Sequence, residues 1–244
     1  MSVSGGLLAG RVAVVTGGGG GIGRGICMGL AREGGVVAVL DIEPASAEET
    51  AGMIRAAGGE ARAFACNIAS EASFRLAGAA IESTLGVAGI VVNNAGFLKP
   101  AALEETTLEH WNAMLSVNLT GAFVSTLVFG PAMREAGRGV FVHIGSIAAN
   151  FAQTRGGAYS ASKAGICGLS STIAAEWGPD GIRSNVVHPG LIRTALSEPF
   201  YRDEDLLRRR EATVASRRTG VPADVAGASY SWPRTFPPTS MARS

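Results

Sequence analysis

Short runs of aliphatic and β-branched residues alternate along the chain with longer stretches in which apolar positions recur at helical spacing. Arg11–Thr16, Val36–Asp41, Arg62–Cys66, Gly89–Val92, Gly139–Gly145 and Arg183–His188 read as strands. Their near-continuous apolarity is the pattern of strands buried on both faces. Between them helices are expected at about 22–33, 44–57, 70–84, 107–135 and 157–177. Strand and helix therefore alternate from end to end, which builds a parallel sheet sandwiched by helices. With right-handed crossovers this is a doubly wound, three-layer α/β/α fold of the Rossmann type. No repeat of solenoid period and no interior linker rich in Pro or Ser breaks the pattern, so residues 1–244 are expected to form one domain.

Composition narrows the function classes. The 244 residues are 47% hydrophobic and 17% charged, which suits a globular chain with a sizeable core rather than a disordered one. Twenty-one basic against 20 acidic side chains leave no electrostatic footprint for nucleic acid or an anionic membrane. Cys27, Cys66 and Cys167 are odd in number and widely spaced, so neither a disulfide framework nor a zinc site is expected, and a reducing cytoplasm fits. His110, His143 and His188 are too dispersed for a metal site and read as structural. Residues 1–10 lack the features of a secretory signal. Apolar runs such as Val36–Leu40 fall far short of the ~20 residues that span a bilayer, and no membrane role is expected. Thirty-four glycines, without a G-X-Y period, must serve particular turns and close approaches.

The densest group of them is informative. The first strand runs directly into Gly17-Gly18-Gly19-Gly20-Gly21-Ile22-Gly23, and a helix pattern follows. Glycines there permit a tight turn and bring the backbone close to a pyrophosphate, which the free N–H groups and dipole of the helix N-terminus favour. Asp41 stands at the end of the second strand, 20 residues beyond Gly21, where a carboxylate can accept hydrogen bonds from ribose hydroxyls. A 2′-phosphate would meet like charge there, so NAD is expected over NADP. Arg24, just inside the helix, reads as a solvated residue.

Tyr159-Ser160-Ala161-Ser162-Lys163 sets a phenol and an ammonium four residues apart on one helical face. A phenol with a pKa near ~10 is a poor base, but a cation within about 4–6 Å lowers that pKa toward neutrality. Asn93-Asn94-Ala95-Gly96 follows the fourth strand, and Ser146 lies just past the fifth.

Taken together these motifs resemble those of the short-chain dehydrogenase/reductases of the single-domain type, from about Gly10 to Ala228. The family's T-G-x-x-x-G-x-G corresponds to Thr16 through Gly23, its N-N-A-G to Asn93 through Gly96, its Ser to Ser146 and its Y-x-x-x-K to Tyr159 and Lys163. Its active-site Asn falls on Asn118. The resemblance implies that Tyr159 is the general acid in carbonyl reduction and the base in alcohol oxidation, with Ser146 bonded to the reacting oxygen. Lys163 would bind the nicotinamide ribose, and Asn118 would hold a water linking Lys163 to solvent. Cofactor contacts are implied at Thr16, Gly17, Gly21, Ile22, Gly23, Asp41, Asn94, Ala95 and Gly96, and after the sixth strand at Pro189, Gly190, Ile192 and Thr194. The family usually has Asp at the end of the third strand, facing the adenine amino group. This chain has Asn67, whose amide oxygen can still accept, followed by Ile68.

Residues 191–220 occupy the place of a substrate lid, with Phe151, Leu196, Phe200 and Tyr201 as candidates to line an apolar pocket and Arg208-Arg209-Arg210 as a solvated face. The family pattern ends near Ala228. From Ser229 on, three prolines are expected to break the helix and leave residues 229–244 an atypical tail without the family's last strand. A shifted coding frame would explain it: Trp232-Pro233 then forces an Ala codon and Met241-Ala242 a Gly codon where the family expects them. The expected activity is NAD(H)-dependent hydride transfer between nicotinamide and a small secondary alcohol or ketone, in a homotetramer. The alternatives are an NADPH-linked 3-oxoacyl-carrier-protein reductase and a catalytically impaired cofactor-binding protein.

Overall fold

Six parallel strands stand side by side in the order β3-β2-β1-β4-β5-β6. They are β1 (Val12–Thr16), β2 (Val36–Asp41), β3 (Glu60–Ala65), β4 (Ala88–Asn93), β5 (Gly139–Ile144) and β6 (Ile182–Val187). This computed structural model describes residues 6–194, 197, 204–214 and 216–231. Helices α1 (Gly21–Arg32), α2 (Pro44–Ala56), α3 (Glu71–Leu85), α4 (Leu108–Leu115), α5 (Gly121–Glu135), α6 (Ala158–Trp177), α7 (Glu204–Thr213) and α8 (Pro222–Ser231) surround the sheet.

The continuous apolarity of the strands has its cause in the two layers they serve. Alternate side chains point to opposite faces. Ala13, Val15, Val37, Val39, Ile90 and Val142 pack on Ile26 and Leu30 of α1, Ile54 of α2 and Val225 of α8. Val14, Leu40, Val91 and Phe141 pack on Phe74 and Ile81 of α3, Phe129 and Met133 of α5 and Ile173 of α6. Chain order reverses between β1 and β4, the switch point where a doubly wound sheet opens a crevice at its carboxyl edge.

Three expectations need correction. The helix expected at 107–135 is α4 and α5 joined by a π-helical turn, Ser116–Thr120, across which Gly121 N–H bonds to the Ser116 carbonyl. Together Leu108–Glu135 are long and apolar enough to cross a membrane by length and composition, contrary to the expectation, yet half of that apolar window is buried in the molecule. Helix also persists through Ser231 rather than breaking at Ser229, because α8 is held against α1, where Pro222 packs on Gly25. The tail from Trp232 lies outside the described residues, as do Leu196, Phe200 and Tyr201 of the lid.

Candidate active site

Loops leaving β1, β4, β5 and β6 enclose a cleft of about 890 Å³. Its glycine-loop end is assembled by backbone. Thr16 Oγ1 accepts hydrogen bonds from the N–H groups of Asn94 (3.0 Å) and Ala95 (3.1 Å), while Asn94 Nδ2 donates to the carbonyls of Thr16 (2.9 Å) and Gly17 (3.0 Å). These bonds hold the turn after β1 against the end of β4. Gly17 has φ +63°, and a Cβ on it would stand 2.9 Å from Ala95 Cα. A Cβ on Gly23 would fall 2.0 Å from the Gly17 carbonyl. Gly20, by contrast, has open space around it, and as N-cap of α1 it offers no side chain to the helix's free N–H groups.

Asp41 lines the same end. Its Oδ2 accepts from Gly19 N–H (2.9 Å) and its Oδ1 from Glu43 N–H (3.1 Å), which fixes the carboxylate and leaves lone pairs for hydroxyl donors. Arg24 is not a solvated residue. It donates to the Gly19 carbonyl (2.6 Å) and Thr50 Oγ1 (3.0 Å) and pairs with Glu49, fastening the glycine loop to α2. Asn67 and Ile68 also line the cleft, but Asn67 Oδ1 already accepts from Ala69 N–H (3.0 Å). Bare backbone at Gly20 and Gly21, an uncapped helix N-terminus and a fixed carboxylate fit the pyrophosphate and ribose of a dinucleotide.

At the other end Ser146, Tyr159 and Lys163 come together. Ser146 Oγ accepts from Ala148 N–H (3.1 Å), and its hydroxyl also faces the Tyr159 phenol. Lys163 is buried, donates to the Ile144 carbonyl (2.7 Å) and has its Nζ 5.6 Å from the Tyr159 ring centre. Burial without a carboxylate partner pushes its amine down to about 8. The phenol differs from expectation: burial raises the Tyr159 pKa, and the Ser146 side chain only partly opposes that shift.

Asn118 and Thr16 do not line the cleft; they stand behind its wall. The Asn118 amide is fully engaged, accepting from Phe97 N–H (2.9 Å) and donating to the Phe97 carbonyl (3.0 Å) and Ser162 Oγ (3.2 Å). Pro189, Gly190, Ile192 and Thr194 line the cleft, with Thr194 beside Gly21. Phe151, expected in the pocket, is 74% exposed and outside the lining. In its place the wall contains Phe97, Leu98, Pro100, Gln153, Thr154, Arg155 and Leu191. Leu191 falls in the stretch expected to form the lid; for the others only the position of their loops between Ser146 and Tyr159, or after Gly96, could have singled them out.

Residues 11–205 match the model of the short chain dehydrogenase family. D-threitol dehydrogenase of Mycolicibacterium smegmatis is 38% identical over 80% of this chain and 75% of its own. Cyclohexanol dehydrogenase of an Acinetobacter species is 37% identical over 80% and 78%. A solved structure provisionally described as an NAD(P) dependent gluconate 5-dehydrogenase from Beutenbergia cavernae, with NADP bound at low occupancy, superposes with a TM-score of 0.87 at 34% identity. That superposition covers 93% of this chain and 91% of the other.

Proposed function

Since the chain belongs to the short-chain dehydrogenase family and is an oxidoreductase acting on CH–OH donors, we propose that it interconverts a small secondary alcohol and its ketone with NAD(H). The observation that carries this reading is the convergence of Ser146, Tyr159 and Lys163 at one end of a cleft whose other end is a glycine cradle. When bound, the nicotinamide supplies or accepts the hydride at the substrate carbon.

This chain's residues do the rest. Tyr159 holds the proton that passes to the carbonyl oxygen during reduction, and its raised pKa keeps that proton in place at neutral pH. In oxidation the phenol must first ionise, so the alcohol-oxidising rate rises with pH. Ser146 turns its hydroxyl proton from the Tyr159 phenol to the reacting oxygen, while its Oγ still accepts from Ala148 N–H. Lys163, anchored on the Ile144 carbonyl, keeps N–H donors for the ribose hydroxyls and takes part in proton transfer through an amine pushed to about 8. Asn118 is a positioning residue: with its side chain spent on Phe97 and Ser162, a water leading to Lys163 would rest on backbone. Gly17, Gly21, Ile22, Gly23, Asn94, Ala95 and Gly96 would hold the dinucleotide from the middle of the sheet's carboxyl edge, with Thr16 bracing them from behind, Asn67 and Ile68 reaching it from the loop after β3 and Pro189, Gly190, Ile192 and Thr194 from the loop after β6.

Preference for NAD over NADP rests on the fixed Asp41 carboxylate and on Arg24, which is turned inward to Glu49 and the Gly19 carbonyl. We further read the chain as one cytoplasmic domain that self-associates, supported by the exposed Leu108, Phe123 and Leu127 along α4 and α5.

The test is NADH against NADPH oxidation over a panel of ketones and 3-oxoacyl thioesters, with Tyr159→Phe alongside. NADH-linked ketone turnover is expected, with Tyr159→Phe losing at least about a hundredfold in kcat while still binding NADH. Equal or better kcat/KM with NADPH overturns the cofactor assignment. Near-wild-type turnover by the Phe variant overturns the role of Tyr159.

A further inference from the structure

We infer that His188 is a positioning residue for the Ser146 hydroxyl, an inference that rests on the role proposed above for Ser146. His188 Nδ1 lies 2.8 Å from the Ser146 carbonyl oxygen. A carbonyl can only accept, so Nδ1 carries a proton. Nε2 faces Cys167 Sγ at 3.8 Å, and that thiol reaches the Lys163 carbonyl at 3.5 Å. The imidazole thus bonds to the backbone that carries Ser146 and packs beside the α6 turn that carries Lys163.

Two features show that the chain makes room for this contact. Gly145 N–H bonds to the Val187 carbonyl (2.8 Å) and Ile147 N–H to the Pro189 carbonyl (3.3 Å), but Pro189 has no N–H to return. The imidazole adds a side-chain bond from this stretch to the neighbouring Ser146 carbonyl. Gly145 is also the residue that lets the ring approach: a Cβ there would stand 2.8 Å from His188 Nδ1 and 3.0 Å from its Cε1. Ser146 is consequently held at its carbonyl by His188 and at its Oγ by Ala148 N–H, which limits the directions open to its hydroxyl proton. A misdirected donor costs rate rather than binding.

His188→Asn and His188→Leu have nearly the same shape, but only the Asn variant can return an N–H to the place of Nδ1. With the fastest ketone of the panel, His188→Leu is expected to lose about tenfold in kcat and His188→Asn to stay within about threefold, with NADH affinity and thermal midpoint alike in both. In a Ser146→Ala background, the change to Leu should cost less than about twofold more, because there is no hydroxyl left to aim. If the Leu variant does not fold, His188→Gln displaces the donor and is read in the same way. Nitrogen-15 NMR should find the free enzyme's His188 protonated at Nδ1. Equal turnover in the Asn and Leu variants, an undiminished Leu effect in the Ser146→Ala background, or the opposite tautomer overturns the inference. Full activity in Ser146→Ala alone overturns the role of Ser146 instead.

Discussion

At the glycine-loop end of the cleft, backbone meets backbone: a Cβ on Gly23 would overlap the Gly17 carbonyl at 2.0 Å, and four hydrogen bonds through Thr16 and Asn94 hold the turn. At the Ser146 and Tyr159 end, the walls are loops at 97–107 and 150–157. They meet through an exposed Arg155–Glu105 ion pair at 3.1 Å and a backbone bond from Ala101 N–H to the Arg155 carbonyl, also 3.1 Å. Arg155 sits there at φ +60°, a strained conformation for a residue with a side chain. The first end is over-determined and tolerates little change. The second is held by contacts that stabilise by only ~0–1 kcal/mol each, so its shape, and with it substrate choice, can change without loss of the fold.

The largest expected effect breaks the first end. Gly23→Ala should destabilise by about 3 kcal/mol or more and abolish cofactor binding, whereas Gly20→Ala, with no protein atom within 4 Å, should leave stability nearly unchanged and weaken only cofactor binding, because its Cβ enters the cleft. Thermal unfolding and NADH fluorescence titration of the pair check this; equal behaviour of the two variants would contradict the steric account.

Lys163, buried beneath the second end, is next in size. Its amine is pushed down from 10.5 to about 8, so the unfolded chain binds more protons than the folded one between those pH values. Stability therefore rises across that window, and at pH 7 the buried charge costs up to about 3 kcal/mol. Lys163→Met should abolish turnover yet raise the thermal midpoint at pH 7 by a few degrees. The gain is reduced by the Ile144 carbonyl left without a donor and fades as pH approaches 10.5. A lower midpoint at pH 7 would show that the charge is compensated by neighbours.

The smallest effect sharpens the second end. Glu105→Gln removes the exposed pair with Arg155 and should change stability by less than about 1 kcal/mol and the ketone KM by no more than about threefold, with NADH affinity unmoved. A large rise in KM would show that this pair shapes the pocket.

Legibility followed the same division. The glycine loop, Asp41, Asn94 and the Tyr159–Lys163 spacing could be read because each lies in a local pattern fixed by strand and helix geometry. Arg24 was misread because its partners Thr50 and Glu49 lie on α2, more than 20 residues away. Phe151 was assigned to the pocket by its apolar character, but it turns outward where the chain runs from the short helical turn Ile147–Ala149 toward α6. Asn118, expected to hold a water, has its amide spent on Phe97 and Ser162, which no spacing in the sequence foretold.

The sequence by itself determined the order of strands and helices, the two-faced burial of the sheet and the turn where a dinucleotide fits. Periodicity and glycine content act over a few residues and need no distant partner. Only the tertiary structure decided how the Asp41 carboxylate is held, which way burial moves Tyr159 and Lys163, and that the His188 imidazole just past β6 reaches the Ser146 carbonyl. Those depend on desolvation and on contacts between segments far apart in the chain, which exist only once the sheet has brought its carboxyl edges together.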